Sequence, residues 1–165
     1  MYFDINSIDQ VPVTDQELTD LLNSVYVDDG FTSAELASTL FIPRLVRKRG
    51  VIFTARVRHD QSLAGMIIVV PPTSNARVLA KANECEMHLL GVKSAFRGLG
   101  IGRRLVEQSL AYANTNDWSK MILWTQQTMF AAQKLYESCG FIRTCLLYTS
   151  PSPRDLSTSR MPSSA

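Results

Sequence analysis

The chain has 165 residues, of which 45% are hydrophobic and 19% charged, as expected of one soluble globular domain. Its net charge of +2 is too small for nucleic acid or a membrane surface to be the main partner, and no apolar run is long enough to span a membrane. Three cysteines without CxxC spacing predict neither a disulfide framework nor a zinc site, and the polar, acidic N-terminus does not resemble a secretory signal, so we expect a cytoplasmic protein.

The first half of the chain predicts a short strand at residues 2–5, two helices and a β-hairpin. Thr14 and Glu17 have the spacing of a capping box, and apolar residues recur behind them at helical intervals. A second helix is predicted to begin after Thr32 and to end near Pro43. The β-rich runs VIFTARVR and LAGMIIVV are joined by the polar HDQS, which indicates the hairpin.

The second half of the chain alternates predicted strands with predicted helices. EMHLLGVK is typical of a strand whose alternation puts Glu86, His88 and Leu90 on one face. A glycine-rich turn follows, then a helix over residues 102–113, a strand at MILWTQ, a helix that Gly140 ends, and the start of a strand at FIRT. The predicted order, β-α-α-β-β-β-α-β-α-β, indicates a mixed α/β sheet.

Residues 145–165 differ in composition from the rest of the chain. Serine and proline dominate from Ser150 onward, which is typical of a disordered tail. CLLYTSPSPRD also resembles a one-frame translation of the transposase end and adaptor of a sequencing library, and SRMPSSA resembles the flow-cell end of that adaptor. We therefore expect residues 1–144 to form the domain and residues 145–165 to be a non-native or disordered tail.

The turn FRGLGIGRRL has glycine at every second position between a predicted strand and a predicted helix. Backbone amides in such a turn converge on an anion, to which the helix N-terminus adds positive potential. A triphosphate loop requires a lysine and a hydroxyl residue after the last glycine, and a dinucleotide motif requires glycine where this chain has Arg103. The pattern that fits is Arg-x-x-Gly-x-Gly, formed by Arg97, Gly100 and Gly102.

Two segments resemble motifs of a known family. LLGVKSAFRGLGIGRRLVE is similar to motif A of the GNAT superfamily of N-acetyltransferases, and AAQKLYESCGF is similar to their motif B. The resemblance implies the GNAT fold, a mixed central sheet with helices on both faces. Its C-terminal hairpin would be truncated here, with the first strand cut near Thr144 and the second missing. The resemblance also implies an enzyme that transfers the acetyl group of acetyl-CoA directly to an amine.

The motif A resemblance implies where acetyl-CoA binds. The backbone of Leu90 and Val92 would pair with the pantetheine arm, and the amide of Val92 would polarise the thioester carbonyl. Amides of the glycine turn would hold the pyrophosphate, and Arg97 and Arg103 would add positive charge. The implied cofactor-binding residues are Leu90, Gly91, Val92, Arg97, Gly98, Leu99, Gly100, Ile101, Gly102 and Arg103.

The chemistry requires a neutral amine, because a protonated amine has no lone pair, so a general base is expected. Glu86 stands where many family members carry a glutamate base, and His88 stands where others carry histidine; both alternatives remain open. Tyr136 matches the family tyrosine that faces the CoA sulfur, which implies a general acid for the leaving thiolate. Where many members have an asparagine, seven residues before that tyrosine, this chain has Met129.

Other functions compete with this interpretation. A non-catalytic acyl-CoA sensor or interaction module would use the same fold, but the presence of Glu86, His88 and Tyr136 favours the enzyme. Nucleic-acid binding through RLVRKRG is disfavoured by the near-neutral net charge, and that run is interpreted as a solvated helix end or loop. The acceptor remains open among small amines, amino acids, aminoglycosides and protein N-termini or lysines, and a homodimer is one expected assembly.

Overall fold

The computed structural model of the chain describes residues 2–144 and 147–150 and contains a seven-stranded sheet. The strands are β1 (Phe3–Ser7), β2 (Val51–Val57), β3 (Leu63–Val70), β4 (Glu84–Val92), β5 (Lys120–Trp124), β6 (Ile142–Thr144) and β7 (Leu147–Thr149). The helices are α1 (Asp15–Leu22) with a π-helical extension (Asn23–Val27), α2 (Ala34–Leu40), α3 (Pro43–Lys48), α4 (Ile101–Thr115) and α5 (Phe130–Ser138), and a 3-10 turn (Ser94–Phe96) precedes α4.

Strands lie in the order β1-β2-β3-β4-β5-β7-β6, and β4 and β5 are parallel whereas the other described pairs are antiparallel. The pairing of β4 with β5 ends at Glu86, which is opposite Ile122. Beyond that point the described part of β4 pairs only with β3. A gap therefore opens in the middle of the sheet, beside the second half of β4.

A β-bulge separates the two halves of β4. Between His88 and Gly91 this strand advances three residues while β3 advances two, and Leu89 in the bulge has a φ of 52°. Leu89 packs with the apolar cluster under α1, whereas Leu90 packs with the cluster under α4 and α5. The expectation that Glu86, His88 and Leu90 share one face is wrong, because the extra residue moves Leu90 to the other face.

Helices cover both faces of the sheet, each over its own apolar cluster. Leu18, Leu21 and Leu22 of α1 pack on one face, and Leu105 and Val106 of α4 pack on the other, where α5 also lies. The predicted capping box begins α1: the Thr14 hydroxyl accepts from the Glu17 amide, and the Glu17 carboxylate accepts from the Thr14 amide. None of the helices in the described residues is long and apolar enough to cross a membrane.

The second predicted helix is divided in two. Helix α2 ends at Leu40, and Pro43 occupies the first turn of a separate helix, α3, rather than ending the one before it. Proline is favoured at this position because its fixed φ suits a helix and its missing N–H would have no partner there. The basic run after Pro43 is therefore partly helical and leads directly into β2.

The C-terminal hairpin is short but contains both of its strands. The expectation of a missing second strand is wrong: β7 lies between β5 and β6, where Tyr148 is opposite both Leu123 and Arg143. Tyr148 is 1% exposed, and Ser150 exchanges hydrogen bonds with the backbone of Met121. Part of the segment expected to be a non-native or disordered tail thus covers the edge of β5; residues 145–146 and 151–165 of that segment lie outside the described residues.

Candidate active site

A cavity of about 660 Å³ lies where β4 and β5 separate. Its walls come from the part of β4 after the bulge, from the glycine turn, from the first turns of α4 and α5, and from the connection between α1 and α2. All of the predicted cofactor-binding residues line it except Leu99, whose side chain is exposed. Met129, which stands where many family members have an asparagine, also lines this cavity.

The glycine turn needs its glycines chiefly for backbone conformation. Gly98 and Gly100 have φ values of 76° and 81°, a region that residues with side chains rarely adopt, although a Cβ at either would meet no atom within 4 Å. Gly102 has no positive φ, and a Cβ there would lie 2.9 Å from Cδ2 of Leu135, so that side chain would have to move. Gly100 is the N-cap of α4 and supplies no side-chain acceptor, so the first amides of this helix are suited to an anion in the cavity.

The two predicted arginines are held differently. Arg97 donates from Nη2 to the Asp29 carboxylate and from Nε to the carbonyl of Val92, so it lies at the cavity wall. Arg103 donates from Nη2 to the hydroxyl of Ser138 at 2.7 Å and is therefore directed towards α5. The Arg97 guanidinium is thus paired with a carboxylate from the α1–α2 connection.

Glu86 is 2% exposed, and both of its carboxylate oxygens are engaged. Oε2 accepts from three successive backbone amides of the β3–β4 loop, those of Val78, Leu79 and Ala80, at 2.6–2.8 Å, and Oε1 lies 2.8 Å from Nε2 of His88. Burial raises the pKa of this carboxyl, but the amides and the imidazole outweigh that effect and hold the pKa below its ordinary value. Glu86 is consequently a weak proton acceptor.

His88 contacts a charged group on each side of its ring. Its Nε2 faces Glu86, and its Nδ1 lies 3.3 Å from Nη1 of Arg49. Burial lowers the pKa of the imidazole more than Glu86 raises it, and Arg49 lowers it further, so the ring is neutral at neutral pH. We assign the proton to Nε2, which donates to Glu86, and this leaves the lone pair on Nδ1.

Tyr136 lies on α5, on the face of the sheet opposite Glu86 and His88. Its ring packs against Phe141 and Tyr148, and burial raises the pKa of its hydroxyl, which therefore stays protonated. None of the described residues accepts a hydrogen bond from this hydroxyl, which still retains some solvent contact. The Tyr136 hydroxyl is thus available as a donor.

Two residues near the site were missed by the sequence reasoning. Tyr26, in the π-helical extension of α1, donates its hydroxyl to the carbonyl of Leu90 at 3.0 Å and lies close enough to Tyr136 to raise the pKa of that phenol. Arg49 belongs to the basic run RLVRKRG, for which the sequence predicts a solvated helix end or loop, but its side chain is half-buried. Nothing in the local sequence distinguishes either residue, because its position depends on a contact between distant segments.

Comparisons with known proteins agree with this geometry. The family model for the acetyltransferase (GNAT) family matches residues 16–141. An uncharacterized N-acetyltransferase of Dictyostelium discoideum is 42% identical over 72 residues, which cover 44% of this chain and 33% of that protein. One from Schizosaccharomyces pombe is 34% identical over 104 residues, 63% of this chain and 59% of that protein. The chain thus spans less than two thirds of the length of these relatives.

The structural comparison gives the same fold. A GNAT-family acetyltransferase of Brucella melitensis, solved in complex with acetyl-CoA, superposes with a TM-score of 0.63 over 99% of this chain and 94% of that one, at 16% identity. The family match extends from α1 through the glycine turn and α5 to Phe141, and so includes the walls of the cavity. The chain belongs to the acetyltransferase (GNAT) family.

Proposed function

We propose that the chain is an N-acetyltransferase that moves the acetyl group of acetyl-CoA directly to an amine. The observation that carries this proposal is the cavity, which joins the gap beside β4 to the glycine turn and the N-terminus of α4. Membership of the GNAT family supports it, as does the structural neighbour that was solved with acetyl-CoA. A cytoplasmic location and a homodimeric assembly are further parts of the proposal, tested by fractionation and light scattering.

Two parts of acetyl-CoA, its diphosphate and its pantetheine arm, have matching surfaces in the cavity. The diphosphate would accept hydrogen bonds from the amides between Gly98 and Gly102, with Arg97 exchanging its Asp29 partner for phosphate oxygens. The pantetheine arm would lie along Leu90–Val92, where β4 has no pairing with β5, and would bind as an added strand does. The thioester then lies near the bulge, between the His88 side and the Tyr136 side of the sheet.

In the proposed mechanism one side chain accepts a proton and another donates one. The amine nitrogen attacks the thioester carbonyl carbon, the amide of Val92 stabilises the oxyanion, and the C–S bond breaks as the tetrahedral intermediate collapses. Nδ1 of His88 takes the proton that the amine loses, and the hydroxyl of Tyr136 gives a proton to the CoA thiolate. Glu86 orients His88, because its own oxygens are already bonded to four donors.

The test measures binding and turnover separately. Calorimetry with acetyl-CoA reports on the cavity, and thiol release across a panel of amines reports on transfer. Binding together with amine-dependent thiol release supports the enzyme, whereas binding without turnover in any amine would indicate the acyl-CoA sensor. Absence of binding would remove both functions.

A further inference from the structure

Arg49 is a half-buried cation that follows α3. Its Nη1 lies 3.3 Å from Nδ1 of His88, and its Nη2 donates to the carbonyl of Leu40 at 3.4 Å, so both hydrogen bonds are long. Burial lowers the pKa of the guanidinium, which nevertheless remains charged at neutral pH. Within the part of the chain that the structure describes, Arg49 forms no salt bridge with a carboxylate.

Other arginines of this region have the counter-ion that Arg49 lacks. The buried Arg56 contacts both carboxylate oxygens of Glu17, at 2.8 and 2.9 Å, and Arg47 of α3 pairs with Asp15. Glu86 does not pair with Arg49, because His88 lies between them and both Glu86 oxygens already accept from other donors. A guanidinium that is partly removed from water is costly without an anion, and a bound ligand can supply one.

The position of Arg49 separates it from the diphosphate of acetyl-CoA. Arg49 contacts His88, whereas the glycine turn follows Val92. Val92 is four residues after His88 along β4, which corresponds to about 13 Å at the rise of an extended strand. Its charge also acts on the phenol of Tyr26, whose hydroxyl is bonded to Leu90 at the cavity wall. Arg49 therefore lies beside the candidate base, where the acceptor must approach.

We propose that the acceptor amine carries a carboxylate, as a free α-amino acid does, and that Arg49 binds that carboxylate next to His88. This inference rests on the proposed acetyltransferase function and names its acceptor class. One carbon atom separates the amine and the carboxylate of an α-amino acid. This short separation matches the 3.3 Å between Nη1 of Arg49 and Nδ1 of His88. The planar guanidinium suits a carboxylate, and the carboxylate would replace the Nη1 contact and free the Nδ1 lone pair for the amine.

The experiment compares an α-amino acid with its carboxamide and with the corresponding decarboxylated amine, using the full chain. The wild type is expected to prefer the amino acid in kcat/KM by about 10- to 100-fold, the range of a hydrogen-bonded charge pair. Arg49→Gln is expected to abolish that preference, mainly by raising the acceptor KM, and Arg49→Lys to retain part of it. Arg44→Gln removes an exposed charge from α3, the helix that Arg49 follows, and is expected to keep the wild-type ratio.

Each kcat/KM is expressed per neutral amine, because the three acceptors differ in amine pKa. Any general effect of Arg49 on His88 then changes all three rates together, so the ratio between acceptors isolates the carboxylate contact. Equal kcat/KM values for amino acid and carboxamide in the wild type overturn the proposal, and this result requires no variant to fold. A preference that survives Arg49→Gln also overturns it, while acetyl transfer to the carboxamide and to the decarboxylated amine would leave the proposed function intact. Failure of acetyl-CoA to bind in calorimetry would remove the proposed function, and this inference with it.

Discussion

Nε2 of His88 and Oε1 of Glu86 lie 2.8 Å apart, in the half of β4 that precedes the bulge. The other oxygen of Glu86 accepts from three backbone amides of the β3–β4 loop. One buried carboxylate therefore attaches that loop to the sheet and also fixes the orientation of the imidazole. This division of contacts is the reason for proposing His88 as the base and Glu86 as a positioning residue.

Replacing Glu86 by glutamine is expected to lower the free energy of unfolding by about 2 kcal/mol, because a neutral amide oxygen accepts weaker hydrogen bonds from the loop amides. Denaturant unfolding measures this loss. Glu84→Gln is the matched control, since the Glu84 carboxylate accepts from a single loop amide, that of Lys81. If both variants lose the same stability, the β3–β4 loop does not depend on Glu86.

The pH dependence of stability tests the environment of His88. Its pKa is lower in the folded chain than the ordinary value of 6.5, so below that pH the unfolded chain binds more protons and the folded chain loses stability as the pH falls. The lowered pKa of Glu86 adds a second loss below about pH 4.5. Thermal unfolding at several pH values should show that His88→Gln removes the loss of stability that begins below pH 6.5.

His59→Gln is the control for that measurement, because His59 is exposed in the turn between β2 and β3. It is expected to keep the wild-type dependence on pH. A wild-type chain whose stability is constant from pH 6.5 to pH 4.5 would contradict the burial of a neutral His88.

Local sequence was sufficient to predict the glycine turn that forms one wall of the cavity. The positive φ values at Gly98 and Gly100 are a property of the turn itself, and the capping box at Thr14 is formed by residues three apart. Glycine spacing and apolar periodicity indicate such features directly. The fold class and the cavity wall formed by the glycine turn could therefore be predicted from consecutive residues, whereas the wall from the connection between α1 and α2 could not.

The surroundings of His88, where we propose that the acceptor binds, depend on contacts between distant segments. Arg49 meets His88 across 39 positions of sequence, and Tyr26 meets Leu90 across 64. The bulge in β4 is a mismatch with β3, so strand alternation alone placed Leu90 on the wrong face. These features follow from packing, and no local pattern in the sequence indicates them.

Tyr136→Phe removes the proposed proton donor and keeps the ring that packs on Phe141. Turnover is expected to fall by about 10²- to 10⁴-fold, with acetyl-CoA affinity nearly unchanged, because the hydroxyl acts on the leaving thiolate. Steady-state thiol release and calorimetry measure the two quantities. Tyr112→Phe, on α4, is the control and should keep both. Normal turnover in Tyr136→Phe would remove the assignment.

Asp29→Asn and Arg97→Gln are expected to change acetyl-CoA affinity in opposite directions. In the proposed complex the diphosphate replaces the Asp29 carboxylate on Arg97, so neutralising Asp29 should tighten binding by up to about fivefold, the worth of a partly exposed ion pair. Arg97→Gln should weaken binding and reduce its dependence on salt concentration. Calorimetry at two ionic strengths measures both effects. Shifts of the same sign would show that Arg97 does not exchange partners.

Strand β7 belongs to the segment that resembles a translated adaptor. Its assignment to a non-native segment stays a prediction, which the source DNA tests. The described β7 nevertheless pairs with β5 and β6, and Tyr148 inserts a buried ring beside Tyr136. The stability of the chain should therefore depend on this residue.

Tyr148→Ala is expected to lower the free energy of unfolding by about 3–5 kcal/mol, because it leaves a cavity where an aromatic ring was buried. Tyr148→Phe keeps the ring and loses only the hydrogen bond from the hydroxyl to Glu137, so it should cost about 1 kcal/mol. Denaturant unfolding of both variants separates packing from hydrogen bonding. Because the ring of Tyr148 also packs on Tyr136, the alanine variant should lose turnover in addition to stability. If alanine costs no more than phenylalanine, β7 does not hold the edge of β5.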